Sequence, residues 1–374
     1  MSDPSDTIIT TEDDVASNDD VASNDDAYDN VILHPNAIEA VESGEQVKVC
    51  WVVSNGLKGT QNQALGLAEA LAELMPLEIS VKKIAIKAPW GFIPGALWPN
   101  PFKLLSTKGH LLRAPFPDIC ISVGRETVPI SIAIKKHSPQ TYTIQTQNPH
   151  APSHLFDMVI PPVHDGVQGD NVFSILGAPS RISVEHVERL SKEIAPRFDQ
   201  LPEPRVVVLI GGSNKHLKMS TAVCDAIIGC LIDLREQGYG LIISNSRRTD
   251  DRHWAYIRKK TGTHNTRYID VSETAIHHGA YPGILGLAKF ILVTEDSVNM
   301  IGEAATTGKP VYTISLEGEG GKFAHFVDSM IEAKAVRRLP VSACPLQLED
   351  WTYEPLAETR RAAKEIARRH KESS

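Results

Sequence analysis

Residues 291–316, ILVTEDSVNMIGEAATTGKPVYTISL, fix the fold class. An apolar run (291–294) leads into an acidic turn of Glu295, Asp296 and Ser297. A short helical stretch follows, then a Gly-Lys-Pro break and a second apolar run (311–315). Strand, helix and strand at this spacing make a βαβ unit, whose strands run parallel. Asp296 or Ser297 can cap the helix, leaving its first N–H groups aimed at the turn. A helix N-terminus at the carboxyl end of a parallel strand suits a phosphate or a sugar. Glu303 lies two turns into that helix on its small-residue side, where a carboxylate can accept hydrogen bonds from ribose hydroxyls. The layout fits a nucleotide-sugar site, and it fits an ordinary βαβ unit with a capped helix equally well.

Outward from this unit the alternation of strand and helix continues in both directions. Strands are expected at 47–54, 119–123, 141–145 and 158–161, with helices at 61–74 and 128–136. After VVVLIGG a helix is expected near 221–237, with strands at 241–244, 268–270, 291–294 and 311–315. KEIAPRFDQLPEPR (192–205) holds Pro196, Pro202 and Pro204 and reads as a linker. The prediction is therefore an α/β protein of two Rossmann-like domains, 46–195 and 205–340, with parallel sheets facing across a cleft. A last charged helix (355–371) is expected to fold back on the first domain.

The chain has 374 residues, 42% apolar and 22% charged, as expected of a soluble globular protein. Its net charge of −8 is unevenly spread: residues 1–45 carry 13 acids and no Lys or Arg, leaving the remainder at +5. That segment, with DVASND repeated at 14–19 and 20–25, reads as a disordered acidic tail. The mildly basic remainder suits anionic substrates or an anionic membrane surface and is too weakly biased for nucleic acid. Neither a secretory signal nor an acid-poor presequence is visible, and no apolar run approaches the ~18 residues of a membrane span. Cysteines at 50, 120, 224, 230 and 344 lack C-x-x-C spacing; Cys50 and Cys120 fall within strands, and a reducing, cytoplasmic compartment is expected.

Loops at the expected strand ends carry the polar residues. SNGLKGTQNQ (54–63) sets Gly56 and Gly59 before a helix, with Asn55, Gln61 and Asn62 at the mouth. It matches neither G-x-G-x-x-G nor a P-loop. SVGRETVP (122–129) places Arg125 to pair with phosphate or carboxylate, or to anchor its own turn. LIGGSNKH (209–216) offers the Gly211 and Gly212 amides with Ser213, Lys215 and His216. SNSRRT (244–249) adds Arg247 and Arg248. If these strands are neighbours, their ends converge on a pyrophosphate. EGEGGKF (317–323) opens a further helix beside the same pocket. His164 with Asp165 is the candidate general base, and no grouping resembles a metal site. The segment 88–118 combines Trp90, Phe92, Trp98, Phe102 and Phe116 with Lys103, Lys108 and Arg113. It fits a peripheral membrane contact, or a loop folded over the core.

Taken in order, GLKGTQNQALGLAEAL, DICISVGRETVP, VLIGGSNKH, SNSRRT and VTEDSVNMIGEAATTGKPVY resemble the elongated-mitochondria (ELM) family of plant fission factors and bacterial relatives. The resemblance spans about residues 47–338. It implies a GT-B-like fold, in which donor binds the second domain, acceptor the first, and no bound metal is needed. EAATTGKPV (303–311) is similar to the donor-site helix of the lipid II N-acetylglucosaminyl transferase, whose Glu holds the ribose of a UDP-sugar; Glu303 takes that place. The expected function is transfer from a nucleotide sugar to a membrane-associated or cell-envelope acceptor. The plant members imply an alternative, a non-catalytic adaptor that recruits a dynamin-type GTPase as protein partner; a nucleotide-sugar epimerase is a third reading.

Overall fold

The computed structural model describes residues 30–270, 280–341 and 345–373. Within them, β1 (Asn30–Leu33), β2 (Lys48–Ser54), β3 (Leu77–Lys83), β4 (Ile119–Val123), β5 (Tyr142–Thr146) and β6 (Met158–Ile160) form one sheet, ordered β1-β3-β2-β4-β5-β6. Its pairings are parallel except β1 on β3. Helices α1 (Pro35–Ser43), α2 (Lys58–Ala72) and α3 (Val128–His137) accompany it. Side chains of β2 alternate between its two faces. Cys50 and Val52 join Ala64, Leu67, Ala68 and Leu71 of α2, while Trp51 and Val53 join Ile130 and Ile134 of α3. Cover on both sides explains why the middle of β2, VCWVV, reads as an unbroken apolar run.

The second sheet is β10-β9-β7-β11-β12-β14, parallel throughout: β7 (Arg205–Leu209), β9 (Gly240–Ser244), β10 (Thr266–Ile269), β11 (Phe290–Thr294), β12 (Val311–Ile314) and β14 (Val336–Arg338). A two-stranded ribbon pairs β8 (Leu217–Lys218) with β13 (Glu317–Gly318). The helices of this half are α4 (Val184–Ile194), α5 (Thr221–Glu236), α6 (Asp251–Thr261), α7 (Ala280–Leu287), α8 (Val298–Ala305) and α9 (Lys322–Glu332). From β7 the chain winds one way through β9 and β10, then returns to the other side of β7 as β11. The strand order thus switches direction between β7 and β11, the place at which open α/β sheets bind ligands, beyond the strands' carboxyl ends. The first sheet reverses in the same way between β2 and β4.

Two boundaries move. Residues 30–43, read as tail, are strand and helix; the rest of the tail, 1–29, lies outside the described residues. The His34 side chain accepts from Asn36 N (3.4 Å), Gly44 closes α1 at φ 75°, and Asn36 Nδ2 donates to the Ala72 and Glu73 carbonyls, 3.1 Å each. These bonds tie α1 to the end of α2, a partner that the tail's acidic composition cannot reveal. The linker also shifts. Val187 and Ile194 of α4, with Phe198 and Leu201 beyond it, are buried in one core with Ile284 and Leu285 of α7. The second domain thus begins at α4, and 192–205 is packed into it. The crossover before α4 runs close beneath α2, where a Cβ on Gly66 would lie 2.5 Å from the Ser180 backbone. Helix α10 (Glu358–Ser373) packs on α2, with Ala362, Ala363 and Ile366 in the first-domain core. Cys50, Cys120, Cys224 and Cys230 are buried free thiols, and Cys344 lies outside the described residues. No described helix is long and apolar enough to cross a membrane.

Candidate functional site

Because β7 lies between β9 and β11, the loops after these three strands stand side by side. Their centre is Asp296, 1% exposed. Its Oδ2 accepts from Gly212 N (3.1 Å) and from Arg248 Nη2 (2.7 Å), and its Oδ1 accepts from Thr294 Oγ1 (2.7 Å). Thr294 Oγ1 in turn accepts from Gly211 N (2.7 Å). Thr249 Oγ1 lies 2.9 and 2.7 Å from the Ile210 and Gly211 carbonyls. Burial pushes the Asp296 carboxyl upward, against the bonds from Thr294, Arg248 and Gly212. A Cβ on Gly211 would meet Asp296 Oδ1 at 2.1 Å, and one on Gly212 would meet the Arg248 carbonyl at 1.8 Å.

These contacts correct part of the sequence reading. The Gly211 and Gly212 amides are not open to a ligand, because both donate inward to Thr294 and Asp296; the glycines let three loops close on one another. Asp296 is a buttress, and Ser297 caps α8, its side chain accepting from Met300 N (3.4 Å). Glu295 braces the turn by accepting from Leu316 N (2.8 Å), and Ser213 Oγ accepts from Met219 N (3.0 Å). Facing solvent on this rim are Lys215, Arg247 and much of Arg248, whose side chain is 43% exposed. Beside them starts α8, whose opening amides have no carbonyl one turn earlier within the helix.

Along α8, Glu303 Oε2 accepts from Tyr281 Oη of α7 (2.9 Å). Burial pushes the Glu303 carboxyl up to about 7, against hydrogen bonds from Tyr281 and from Ser180 of the crossover. Glu303 therefore sits at the seam between the domains. The same helix touches α2: Asn299 Oδ1 accepts from Gln63 Nε2 (3.0 Å), and Gln63 Oε1 accepts from Gln147 Nε2 (2.8 Å). Gln63, Gln147 and Asn299 were not singled out from sequence. A polar residue at a buried phase of α2, directly before Ala64, was the legible signal for Gln63; Gln147, at φ 66°, gave none.

On the first-domain rim, Gly56 (φ 80°) turns the chain into α2, and Asn55 Oδ1 accepts from Leu57 N (3.3 Å). Gly59 approaches Asn299, a Cβ there falling 3.7 Å from Nδ2. Asn62 is exposed. Arg125 Nη2 donates to the Gly91 carbonyl (2.7 Å), so its guanidinium anchors the 88–118 segment. His164 stands elsewhere along the seam. Its side chain is 5% exposed, with Nε2 4.0 Å from Asp165 Oδ1 and the ring edge-on to Phe326 of α9 at 5.5 Å. Burial holds the imidazole below its usual range; Asp165 opposes this, while Lys322 and His325 reinforce it. His164 lines a cavity with His325, Asp328, Ser329 and Glu332, and its measured contacts do not reach Glu303. Among the described residues no cluster of three His, Cys, Asp or Glu could hold a metal.

Comparison with known proteins bears on this geometry. The family model described as mitochondrial fission ELM1 matches residues 58–370. An uncharacterized protein of Rickettsia prowazekii is 26% identical, with 84% of this chain and 97% of that protein covered. The mitochondrial fission protein ELM1 of Arabidopsis thaliana is 28% identical over 67% of this chain and 64% of its own length, so the chain spans just under two thirds of that relative. Among solved structures, UDP-GlcNAc 2-epimerase from Neisseria meningitidis bound to UDP-GlcNAc superposes with a TM-score of 0.55 at 15% identity, over 87% of this chain and 100% of that one. At that identity the likeness establishes a shared fold, the GT-B arrangement of two facing Rossmann-like domains.

Proposed function

The chain belongs to the mitochondrial fission ELM1 family, and from that premise we propose that it binds a nucleotide sugar at the seam between its domains and transfers the sugar to a membrane-associated acceptor. The observation that carries this reading is the switch in strand order between β7 and β11. One helix, α8, begins there beside the half-exposed Arg248 and bears Glu303, bonded to Tyr281 of α7, further along. In the proposal the opening amides of α8, with Lys215, Arg247 and Arg248, hold the diphosphate, and Glu303 accepts from the ribose hydroxyls. The acceptor hydroxyl enters from the rim of Asn55, Gly59 and Asn62. Its oxygen bonds to the anomeric carbon as the bond to the diphosphate breaks, and the cations and helix end stabilise the departing charge. The proton goes to a base, for which His164, kept neutral by burial, is the candidate. A cytoplasmic, membrane-peripheral setting belongs to the same proposal.

Support for the donor comes from the fold neighbour bound to UDP-GlcNAc. Calorimetric titration with UDP-, GDP-, ADP- and CMP-sugars tests it. Saturable binding to one of them, weakened about tenfold or more by Glu303→Ala, is the expected outcome, since a lost charged hydrogen bond is worth about 1.5–3 kcal/mol. No binding by the folded protein overturns the reading. A second reading, a non-catalytic adaptor, is favoured by the internal pairing of Gly211, Gly212 and Asp296, which bonds the loops after β7 and β11 to one another without a ligand; the Arabidopsis relative is named as a mitochondrial fission protein. Donor turnover without acceptor would instead favour an epimerase.

A further inference from the structure

We propose that the first domain docks on an anionic lipid surface through two 3-10 turns, Trp90–Phe92 and Gly95–Leu97. From residue 79 to 117 the sequence contains no Asp or Glu, yet it carries six Lys or Arg. Of the residues exposed between 87 and 115, all but Thr107 are apolar or cationic. Phe92 is 88% exposed and Leu97 67%. The fold itself presents them. Trp98, Leu104, Leu105 and Leu112 are buried beneath the segment, and Trp98 Nε1 donates to the Ile93 carbonyl at 3.1 Å. Both readings of the segment thus apply to different residues: Trp98 belongs to the loop folded over the core, Phe92 and Leu97 to the outward contact.

Lone exposed apolar side chains need no explanation. What points to lipid here is their setting. A protein-binding patch carries a rim of polar side chains able to pair with a partner. The same segment exposes Lys87, Lys103, Lys108 and Arg113, with Lys87 Nζ donating to the Lys103 carbonyl. These are cations on long apolar stems that can lie along a bilayer with the charge at headgroup level. Glu126, bordering Gly91, is half-buried. The bond from Arg125, directly after β4, to Gly91 fixes the turns on the rim where the parallel strands end. Docking therefore turns the mouth of the first domain toward the membrane. The inference is independent of sugar transfer and holds equally for an adaptor.

Flotation of the full chain with vesicles, nucleotides omitted, tests it. The protein is expected to float with vesicles of equal phosphatidylcholine and phosphatidylglycerol, to stay behind with phosphatidylcholine alone, and to be released as salt rises. The double variant Phe92→Ser, Leu97→Ser should lower partitioning about tenfold or more. Lys103→Glu with Lys108→Glu should lower it by a similar factor. All four positions are exposed, so thermal melting is expected to be unchanged, which separates lost docking from lost fold. Failure of the wild type to float with anionic vesicles, or undiminished flotation of the Phe92, Leu97 variant, overturns the proposal.

Discussion

Glu303→Gln removes a charge at the seam while keeping an acceptor for Tyr281 and nearly the same shape. The carboxyl is raised from 4.5 to about 7 in the folded protein, chiefly by burial. A carboxyl raised on folding adds stability that is fully present below about pH 4.5 and is lost as pH climbs through 7. Linkage over that interval puts the wild type about 2.5 kcal/mol further below the Gln variant at pH 8 than at pH 5. The side chain is partly open, and solvent screening reduces the difference to about 1–2.5 kcal/mol. Urea unfolding of both proteins at the two pH values measures it directly. Other titrating groups are common to both proteins and cancel in the comparison. The Gln variant should gain on the wild type as pH rises; parallel pH dependences would refute the placement of a desolvated carboxyl at this point.

Asp296→Ala leaves the buried Gly212 N–H and Thr294 hydroxyl without their acceptor and frees Arg248, so a loss of about 2–4 kcal/mol is expected in urea unfolding. A loss under about 1 kcal/mol would show that the three loops do not depend on this carboxylate. The bond between Gln63 and Asn299 joins α2 to α8 across the seam, and a double-mutant cycle of Gln63→Ala and Asn299→Ala should return a coupling of about 0.5–1.5 kcal/mol. Additive losses would mean that the two amides do not communicate.

Much of the fold was legible in short stretches. VVVLIGG and ILVT declare strands because central parallel strands are apolar on both faces, and PVYTI after a Gly-Lys-Pro break does the same. Segments with mixed character escaped. LEISVKK, which is β3, alternates apolar with polar residues, and one of those, Lys82, is buried beside the Trp51 ring. DRHWAYIRKKT, which is α6, buries just Trp254, Ile257 and Thr261, so its charged face hides the helix. At the candidate site, the helical position of Glu303 was legible because cap, helix and break form a local motif. Gln147 and Asn299 were missed because each matters through a partner 84 and 236 residues away from it in the chain.

The sequence by itself determined the α/β class, the two domains, the capped helix at 297 and the family resemblance. All of these are written in local periodicity, caps and short ordered motifs. The tertiary structure alone decided the strand order that sets β7 between β9 and β11, the assignment of α4 to the second domain, and the use of each polar group. Gly211, Gly212, Arg125 and Arg248 look alike on paper, as donors waiting for an anion. Whether a donor is free depends on which distant acceptor the fold brings within about 3 Å, and hydrogen bonding is too short-ranged for composition or spacing to reveal it.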